Sequence, residues 1–173
     1  MKKVLFFILL LWCPFSIVSA QFVNFGQDRP SLRWKQIKTD DFQIIYPDFF
    51  EENAQKAASI FRLLYHHANT LQLHPKKISI IMHADGGVSN GNVALAPRKS
   101  ELYTMPSQDP TDDWLEHLCV HEFRHVVQLD KVNQGLTKDL YYLFGEIFPI
   151  AVVGVYVPMW FMEGDAVCFE TAV

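Results

Sequence analysis

A long amphipathic segment, Asp48 to Leu73, constrains the fold of this chain more than any other feature. We predict a helix here, with Asp48 as its cap and Glu51 as the partner in a capping box. A helix with a single apolar face requires a second layer of structure to cover that face. The residues that recur at three- and four-residue steps, and so define the face, are Phe50, Ala54, Ala57, Phe61, Leu64, Ala68 and Leu71.

Short β-rich segments lie on both sides of this helix and are predicted to form a sheet. Residues 21–38 are predicted to be irregular, and residues 84–91 (ADGGVSNG) are predicted to form a loop because of their glycines. The segments predicted as strands are 42–46, 77–83, 92–96 and 101–105.

The second half of the chain is predicted to be helical. Helices are expected at about 111–130, at 137–146 and from residue 159 onward, with a very apolar segment, 147–157, before the last one. Strands early in the chain and helices late indicate a single domain with an α+β fold. With a net charge of −4 and no cluster of lysine or arginine, the chain is not expected to bind nucleic acid.

Residues 1–20 have the layout of a secretory signal peptide. Two lysines precede an apolar run, and Ala20 marks the predicted cleavage site. The alternative, an uncleaved membrane anchor, fits less well because the apolar run is short and Pro14 interrupts it. We therefore expect export to the periplasm, the outer membrane or the exterior of the cell, with residues 21–173 as the mature domain.

The predicted mature domain holds two cysteines, Cys119 and Cys168. An exported protein can form a disulfide between such a pair. We favour two buried free thiols instead, because a core this apolar does not need a single bridge to hold it.

The run HEFRH, residues 121–125, carries two histidines four residues apart in a predicted helix. Residues at this spacing lie on the same face, one turn apart, so His121 and His125 can direct ring nitrogens at one metal ion. Glu122 lies beside the first histidine, where it can take a proton from a water on that ion. The alternative is an ordinary polar helix face, since His117 extends the same row by one more turn.

A second motif follows at residues 160–170, WFMEGDAVCFE. With HEFRH, its pattern W-x-x-E-G-x-A-x-x-x-E resembles the gluzincin metallopeptidases, the superfamily of thermolysin and aminopeptidase N. The order of strands before HEFRH resembles the upper domain of a zincin, with a small mixed sheet, an HExxH helix and a following helix that carries a glutamate ligand. More narrowly, most of residues 21–173 resembles the N-terminal peptidase-like part of exported bacterial proteins that continue into a β-propeller.

The resemblance implies a zinc (Zn2+) site and the hydrolysis of peptide bonds. Carried over by position, His121, His125 and Glu163 would be the zinc ligands. Glu122 would be the general base and proton shuttle, and Glu170 would be a hydrogen-bond partner of a ligating histidine. The alternative for Glu163 is a carboxylate that stabilises a helix N-terminus. The alternative for Glu170 is a solvated helix residue.

The edge of the predicted sheet offers a second candidate site. In zincins an edge strand lines the cleft and pairs with an extended peptide through its backbone. The segment NGNVALAP, residues 90–97, precedes the motif helix at the place where that strand is expected. The alternative is an ordinary hairpin strand. The residues predicted to line the substrate are Asn92, Val93, Ala94 and Leu95.

Two departures from the superfamily pattern limit what the resemblance implies. Thirty-seven residues separate His125 from Glu163, and the apolar part of this long interval, residues 147–162, could contact a membrane or another domain. A membrane span is disfavoured because Pro149 and Pro158 break this segment. The chain also ends ten residues after Glu163, before the region that supplies an oxyanion-stabilising side chain in gluzincins. We therefore expect a domain that is incomplete at its C-terminus.

The sequence thus predicts an exported, zinc-dependent metallopeptidase-like domain that acts on a peptide or protein substrate. The first alternative is a catalytically incomplete binding or assembly module of a larger exported protein, because no oxyanion-stabilising residue can be assigned. The second alternative is a membrane-associated structural protein built around residues 147–162.

Overall fold

The computed structural model describes residues 28–67, 71, 74–95, 97–106, 113–145 and 147–172. The predicted signal peptide lies outside this part of the chain. In chain order, the elements are β1 (Trp34–Lys38), β2 (Phe42–Pro47), a 3-10 turn (Asp48–Phe50), α1 (Glu51–His67), β3 (Ile78–His83), β4 (Ser89–Leu95), β5 (Arg98–Thr104), α2 (Trp114–Val132), α3 (Leu136–Phe144), α4 (Ile147–Tyr156) and α5 (Met159–Glu170).

The strands form one mixed sheet in the order β1-β2-β3-β5-β4. Strand β2 runs parallel to β3, with α1 as the crossover between them, and β3 runs parallel to β5. Strands β1 and β4 pair antiparallel with β2 and β5, respectively. Within the described residues β4 pairs on one side only, so its other edge offers unpaired backbone N–H and C=O groups.

The core lies between one face of this sheet and the helices α1 and α2. Residues of β2 and β3 alternate between the core and the opposite face, because successive side chains of a strand point in opposite directions. Burying side chains of this size stabilises the fold by roughly 1.5–3 kcal/mol each. The largest fully buried apolar residues include Phe42, Phe61, Phe123, Ile44, Ile80, Met82 and Leu102.

The observed elements confirm the predicted α+β fold, but two predictions about the sheet were wrong. Residues 34–38 form β1 rather than an irregular segment, and β4 begins at Ser89, inside the predicted loop. The glycines that indicated a loop are compatible with a strand here, because Gly91 lies where another element approaches the backbone closely. Only the tertiary structure defines that contact.

The start of α1 also differs from its prediction. Residues Asp48–Phe50 form a 3-10 turn that begins after Pro47, and no side chain caps this turn. Pro47 has a φ of −62° and a ψ of 140°, an extended conformation that the proline ring favours. The predicted cap at Asp48 is therefore wrong.

The very apolar segment forms α4, which packs against α3. Pro149 lies in the first turn of α4, where a backbone N–H would have no helical partner, so it does not interrupt the helix. No helix within the described ranges is long and apolar enough to cross a membrane. Helices α3, α4 and α5 nevertheless expose many large apolar side chains: Leu136, Tyr142, Leu143, Phe144, Val155, Tyr156, Met159, Trp160, Phe161 and Val167.

Cys119 and Cys168 are both free thiols. Cys119 is fully buried in the core, and burial raises the pKa of its thiol. Cys168 is exposed, so the prediction that it is buried was wrong. Helix α5 buries Met162 and Ala166, and a residue two positions after Ala166 points to the other side of the helix.

Candidate metal centre

Helix α2 places the HEFRH residues between the core and the edge strand. Asp113 caps the helix by accepting a hydrogen bond from the backbone N–H of Glu116 at 3.4 Å, and it also pairs with Lys56 of α1. Along its length, α2 buries Phe123 and Val126 in the core. The helix is thus fixed at its start and along one face, which gives the motif side chains a defined direction.

Helix α5 packs alongside α2 and brings the second motif to the first. Arg124 of α2 donates two hydrogen bonds to Asp165 of α5, from Nε to Oδ2 at 2.6 Å and from Nη2 to Oδ1 at 2.8 Å. The Arg124 guanidinium holds the pKa of the Asp165 carboxyl below its usual range. This ion pair fixes α5 against α2, and Glu163 thereby faces the motif histidines.

The three predicted ligands converge, and we call His121, His125 and Glu163 the triad. Nε2 of His121 lies 3.2 Å from Nε2 of His125, and Oε2 of Glu163 lies 3.4 Å from the first nitrogen and 3.6 Å from the second. Ligand atoms held at about 2.0–2.1 Å by a tetrahedral ion are separated by about 3.3–3.4 Å. The observed triangle therefore has the size of one face of a tetrahedral site. Two imidazole nitrogens and one carboxylate oxygen could bind a divalent metal ion.

Hydrogen bonds on the far side of each ring set the histidine tautomers. Nδ1 of His121 lies 3.1 Å from Oε2 of Glu170, and Nδ1 of His125 lies 2.9 Å from Oε1 of Gln128. A carboxylate oxygen and an amide oxygen only accept, so each Nδ1 carries a proton, and in the neutral form of each ring the lone pair lies on Nε2. With both rings neutral, two lone pairs and a carboxylate oxygen face one another. A metal ion or a proton satisfies such an arrangement.

The orientation of the Gln128 amide is determined by its own neighbours. Its Nε2 donates to the carbonyl of Met162 at 3.0 Å and to Oδ2 of Asp165 at 2.6 Å, which leaves Oε1 toward His125. Because Arg124 holds Asp165, a chain of hydrogen bonds runs from this ion pair to the ligand ring. Sequence reasoning missed these positioning residues. The spacing of three residues between His125 and Gln128 is the signal that could have found the first of them.

The carboxyl group of Glu122 is buried beside the ligand atoms. The residue is 3% exposed, and its Oε2 has no hydrogen-bond partner in the described part of the chain. Burial, assisted by the negative charge of Glu163 and opposed by His121, raises the pKa of Glu122 to about 7. A cation on the triad would favour the ionised form and lower that pKa. A buried carboxyl group that is ionised when a cation is bound next to it suits a general base.

Strand β4 lies against Glu122 at Gly91. A Cβ atom built on Gly91 would come within 2.3 Å of Oε1 of Glu122, which is closer than real Cβ contacts. The lack of a side chain at Gly91 therefore admits the carboxyl group next to the strand. Backbone conformation is not the reason, because the described glycines with positive φ are Gly135 and Gly145.

A cleft of about 380 Å³ lies between β4 and the helices. Of the predicted substrate-strand residues, Asn92 and Val93 line this cleft, whereas Ala94 and Leu95 do not. The latter two lie at the far end of β4, next to the turn into β5. The lining residues are Asn90, Gly91, Asn92, Val93, His121, Glu122, His125, Leu129, Val153, Met159, Met162 and Glu163.

His117 extends the histidine row but does not join the triad. Its Nδ1 lies 3.0 Å from Oε1 of Glu170, whose second oxygen contacts His121. Glu170 thus bridges the two rings on the side away from the ligand atoms. Glu170 is half-buried and hydrogen-bonded, and it is thus in a position to orient the ring of His121.

In comparisons with family models, curated proteins and solved structures, none matches this chain. The residues and the geometry of the triad therefore carry the argument for function.

Proposed function

We propose that this chain is an exported, zinc-dependent metallopeptidase-like domain of the gluzincin type that hydrolyses peptide bonds. The observation that carries the proposal is the convergence of three lone-pair donors in the triad, next to the buried carboxyl group of Glu122 at a sheet edge. Neutral imidazole and carboxylate ligands at tetrahedral spacing favour zinc over calcium or magnesium, which prefer oxygen ligands.

Each residue of the site has a role in this proposal. His121, His125 and Glu163 would hold the ion, and the hydrogen bonds on the far sides of the rings would keep both Nε2 atoms directed at it. When bound, zinc would lower the pKa of a coordinated water and polarise the substrate carbonyl. Glu122 would accept the proton of the attacking water on its carboxylate and deliver it to the leaving amine.

The free edge of β4 would bind the substrate backbone. An extended peptide can pair with unpaired N–H and C=O groups of an edge strand, and residues 90–93 of β4 line the cleft. Since Gly91 contacts Glu122, this pairing would bring the peptide bond beside the general base.

Elemental analysis of the purified chain tests the metal site. We expect about one zinc per chain, and loss of zinc in both His121→Ala and Glu163→Ala. His74→Ala and Glu116→Ala are matched controls that should keep the metal, because both residues are exposed and neither lines the cleft. Well-folded parent protein that contains no zinc after exposure to the metal would exclude the site.

A Glu122→Gln variant tests the chemistry. The variant should keep its zinc and should lower hydrolysis of a quenched fluorescent peptide library by at least about 10²-fold, because the amide cannot accept a proton. Equal rates in the parent and in Glu122→Gln would contradict the role of Glu122 as base.

A second candidate function is a peptidase-like binding or assembly module that does not turn over. This alternative is supported by the described lining residues, which include no tyrosine, lysine or arginine and leave Asn90 and Asn92 as the amide side chains that could donate to an oxyanion. Under this alternative, the chain binds zinc and a peptide, but the parent and Glu122→Gln proteins show the same background hydrolysis.

The proposal also includes export of the chain and a surface that contacts a partner. The layout of residues 1–20 supports export to the periplasm, the outer membrane or the exterior. The apolar surface of α3, α4 and α5 supports contact with another domain of a longer protein, such as a β-propeller, or with a membrane surface. N-terminal sequencing of the exported protein should begin at Gln21.

A further inference from the structure

Glu170, the carboxylate behind the ring of His121, accepts from two histidines at once. It is the last residue of α5, and each of its oxygens contacts a different ring of α2. Oε1 lies 3.0 Å from Nδ1 of His117, and Oε2 lies 3.1 Å from Nδ1 of His121. Because a carboxylate only accepts, both ring nitrogens donate to it. Two successive turns of α2 are thereby joined to the end of α5.

The bond between Glu170 and His121 lies where water can compete with it. The Glu170 side chain is 24% exposed, and with both histidines it lines a second cleft of about 240 Å³. Water in this cleft can hydrate the carboxylate and replace the bond to the ligand ring. A second donor on the other oxygen limits rotation of the carboxylate. The bond from His117 therefore keeps Oε2 of Glu170 directed at His121.

The position of this bridge along α5 adds to its importance. The ion pair between Arg124 and Asp165 holds the middle of α5 against α2. The bridge holds the last turn of the same helix, where a helix otherwise frays. His117 and His121 lie one turn apart on α2, so both rings reach Glu170 from one face. The spacing that places ligand atoms at the triad thus also places a donor outside it.

We infer that His117 is a positioning residue of the metal site, which acts on His121 through Glu170. His117 supplies no ligand atom to the triad. Its Nδ1–H fixes the Glu170 carboxylate, and that carboxylate orients the ring of His121 and strengthens Nε2 as a ligand. This inference rests on the zinc site of the proposed function and does not depend on hydrolysis.

A double-mutant cycle on zinc affinity tests the inference, with competition against a chromophoric chelator as the measurement. His117→Leu removes one donor and should weaken zinc binding about fivefold, whereas Glu170→Leu removes the bridge and should weaken it roughly 10–100-fold. In the Glu170→Leu background, His117→Leu should change the affinity by less than about twofold, because its effect passes through the missing carboxylate.

Asparagine provides the conservative replacement at position 117. Its amide nitrogen is attached to Cγ, as Nδ1 of histidine is, so it can donate to Glu170 from a similar place. His117→Asn should therefore bind zinc within about twofold of the parent and more tightly than His117→Leu. Leucine is a better helix former than asparagine, so an effect on the stability of α2 would give the opposite order.

His74→Leu is the matched control. Nε2 of His74 also lies 3.1 Å from a carboxylate oxygen, that of Asp41, but His74 lines neither cleft. This variant should keep the zinc affinity of the parent. The His117 side chain is 37% exposed, so its replacement should leave the fold intact, and thermal melting of the metal-free variants by circular dichroism verifies this.

The possible failures of the inference differ from a failure of the zinc site. If the parent binds zinc and His117→Leu binds it equally tightly, the inference is wrong and the zinc site stands. The inference is also wrong if His117→Leu weakens binding by the same factor with and without Glu170, or if His117→Asn binds no better than His117→Leu. If the parent binds no zinc, the proposed function fails together with this inference.

Discussion

Gly91 contributes to the site because it has no side chain. Glu122 lies against Gly91, so an added methyl group would push its carboxyl group away from the strand and toward the cleft that this residue lines. We expect Gly91→Ala to retain zinc, to lose about 1–3 kcal/mol of stability through overpacking, and to lower hydrolysis by roughly 10²-fold through displacement of Glu122. Thermal melting and peptide hydrolysis measure the two effects.

Gly87 provides the control for this substitution. A Cβ atom at Gly87 meets nothing within 4 Å, so Gly87→Ala should leave zinc content, stability and hydrolysis unchanged. Parental hydrolysis in Gly91→Ala would show that the contact with β4 does not hold Glu122 in place.

Gln128 is a second residue whose side chain affects the metal site, although it is not itself a candidate ligand. Replacing it by leucine removes the acceptor for Nδ1 of His125, and the ring is then free to adopt the other tautomer or to rotate. We expect Gln128→Leu to weaken zinc affinity by roughly 10–100-fold, as measured by competition with a chromophoric chelator. Gln55→Leu, at an exposed position on α1, should keep parental affinity.

At the scale of elements, α2 connects the core to the site, and its stability depends on its first turn. Asp113 caps the helix, and Lys56 holds the pKa of the Asp113 carboxyl below its usual range. Asp113→Ala should lower the free energy of unfolding at pH 7 by about 1 kcal/mol, because the cap is lost. Denaturant titration monitored by circular dichroism provides the measurement.

Asp113→Asn separates the cap from the charge and predicts a pH dependence. Asparagine can still cap the helix but cannot pair with Lys56 as an anion. A carboxyl group with a depressed pKa in the folded state contributes stability above its unfolded pKa, and this contribution is lost as the pH falls through its folded pKa. The parent should therefore be more stable than Asp113→Asn at pH 7, and the difference should vanish in acid. A difference that grows in acid would contradict the pairing.

At the scale of the whole molecule, the reactivity of the Cys119 thiol reports on global unfolding. Its side chain is fully buried and burial raises the pKa of its thiol, whereas Cys168 is exposed. In iodoacetamide labelling followed by peptide mapping, Cys168 should react at the rate of an ordinary thiol. Cys119 should be protected by more than about 10³-fold, because its reaction requires unfolding of a cooperative domain. If both thiols are protected and a reductant removes that protection, the two cysteines form a disulfide instead.

The fold and the triad differ in how much of them could be predicted from sequence. Periodicity predicted the long helix, the motif helix and the inner strands, because each element buries one regular face. HEFRH and WFMEG together named the three candidate ligands that the structure brings to one point. Gly91 escaped prediction because its role depends on Glu122, 31 residues away. Gln128 lies three residues after His125, but the orientation of its amide depends on Asp165, 37 residues away. Local composition does not encode these distant contacts.

The convergence of acceptors at the triad also has a consequence for how such a chain would change over evolutionary time. With both rings neutral and no metal ion bound, the two Nε2 lone pairs and the Glu163 carboxylate lie against one another, and Oε2 of Glu122 is buried without a partner among the described residues. An unpaired buried polar group costs about 1–3 kcal/mol of stability. Apolar replacements at these positions would make the chain more stable and chemically inert. Selection for stability alone would therefore erase this group of residues, and their presence together in one sequence favours selection for a chemical role.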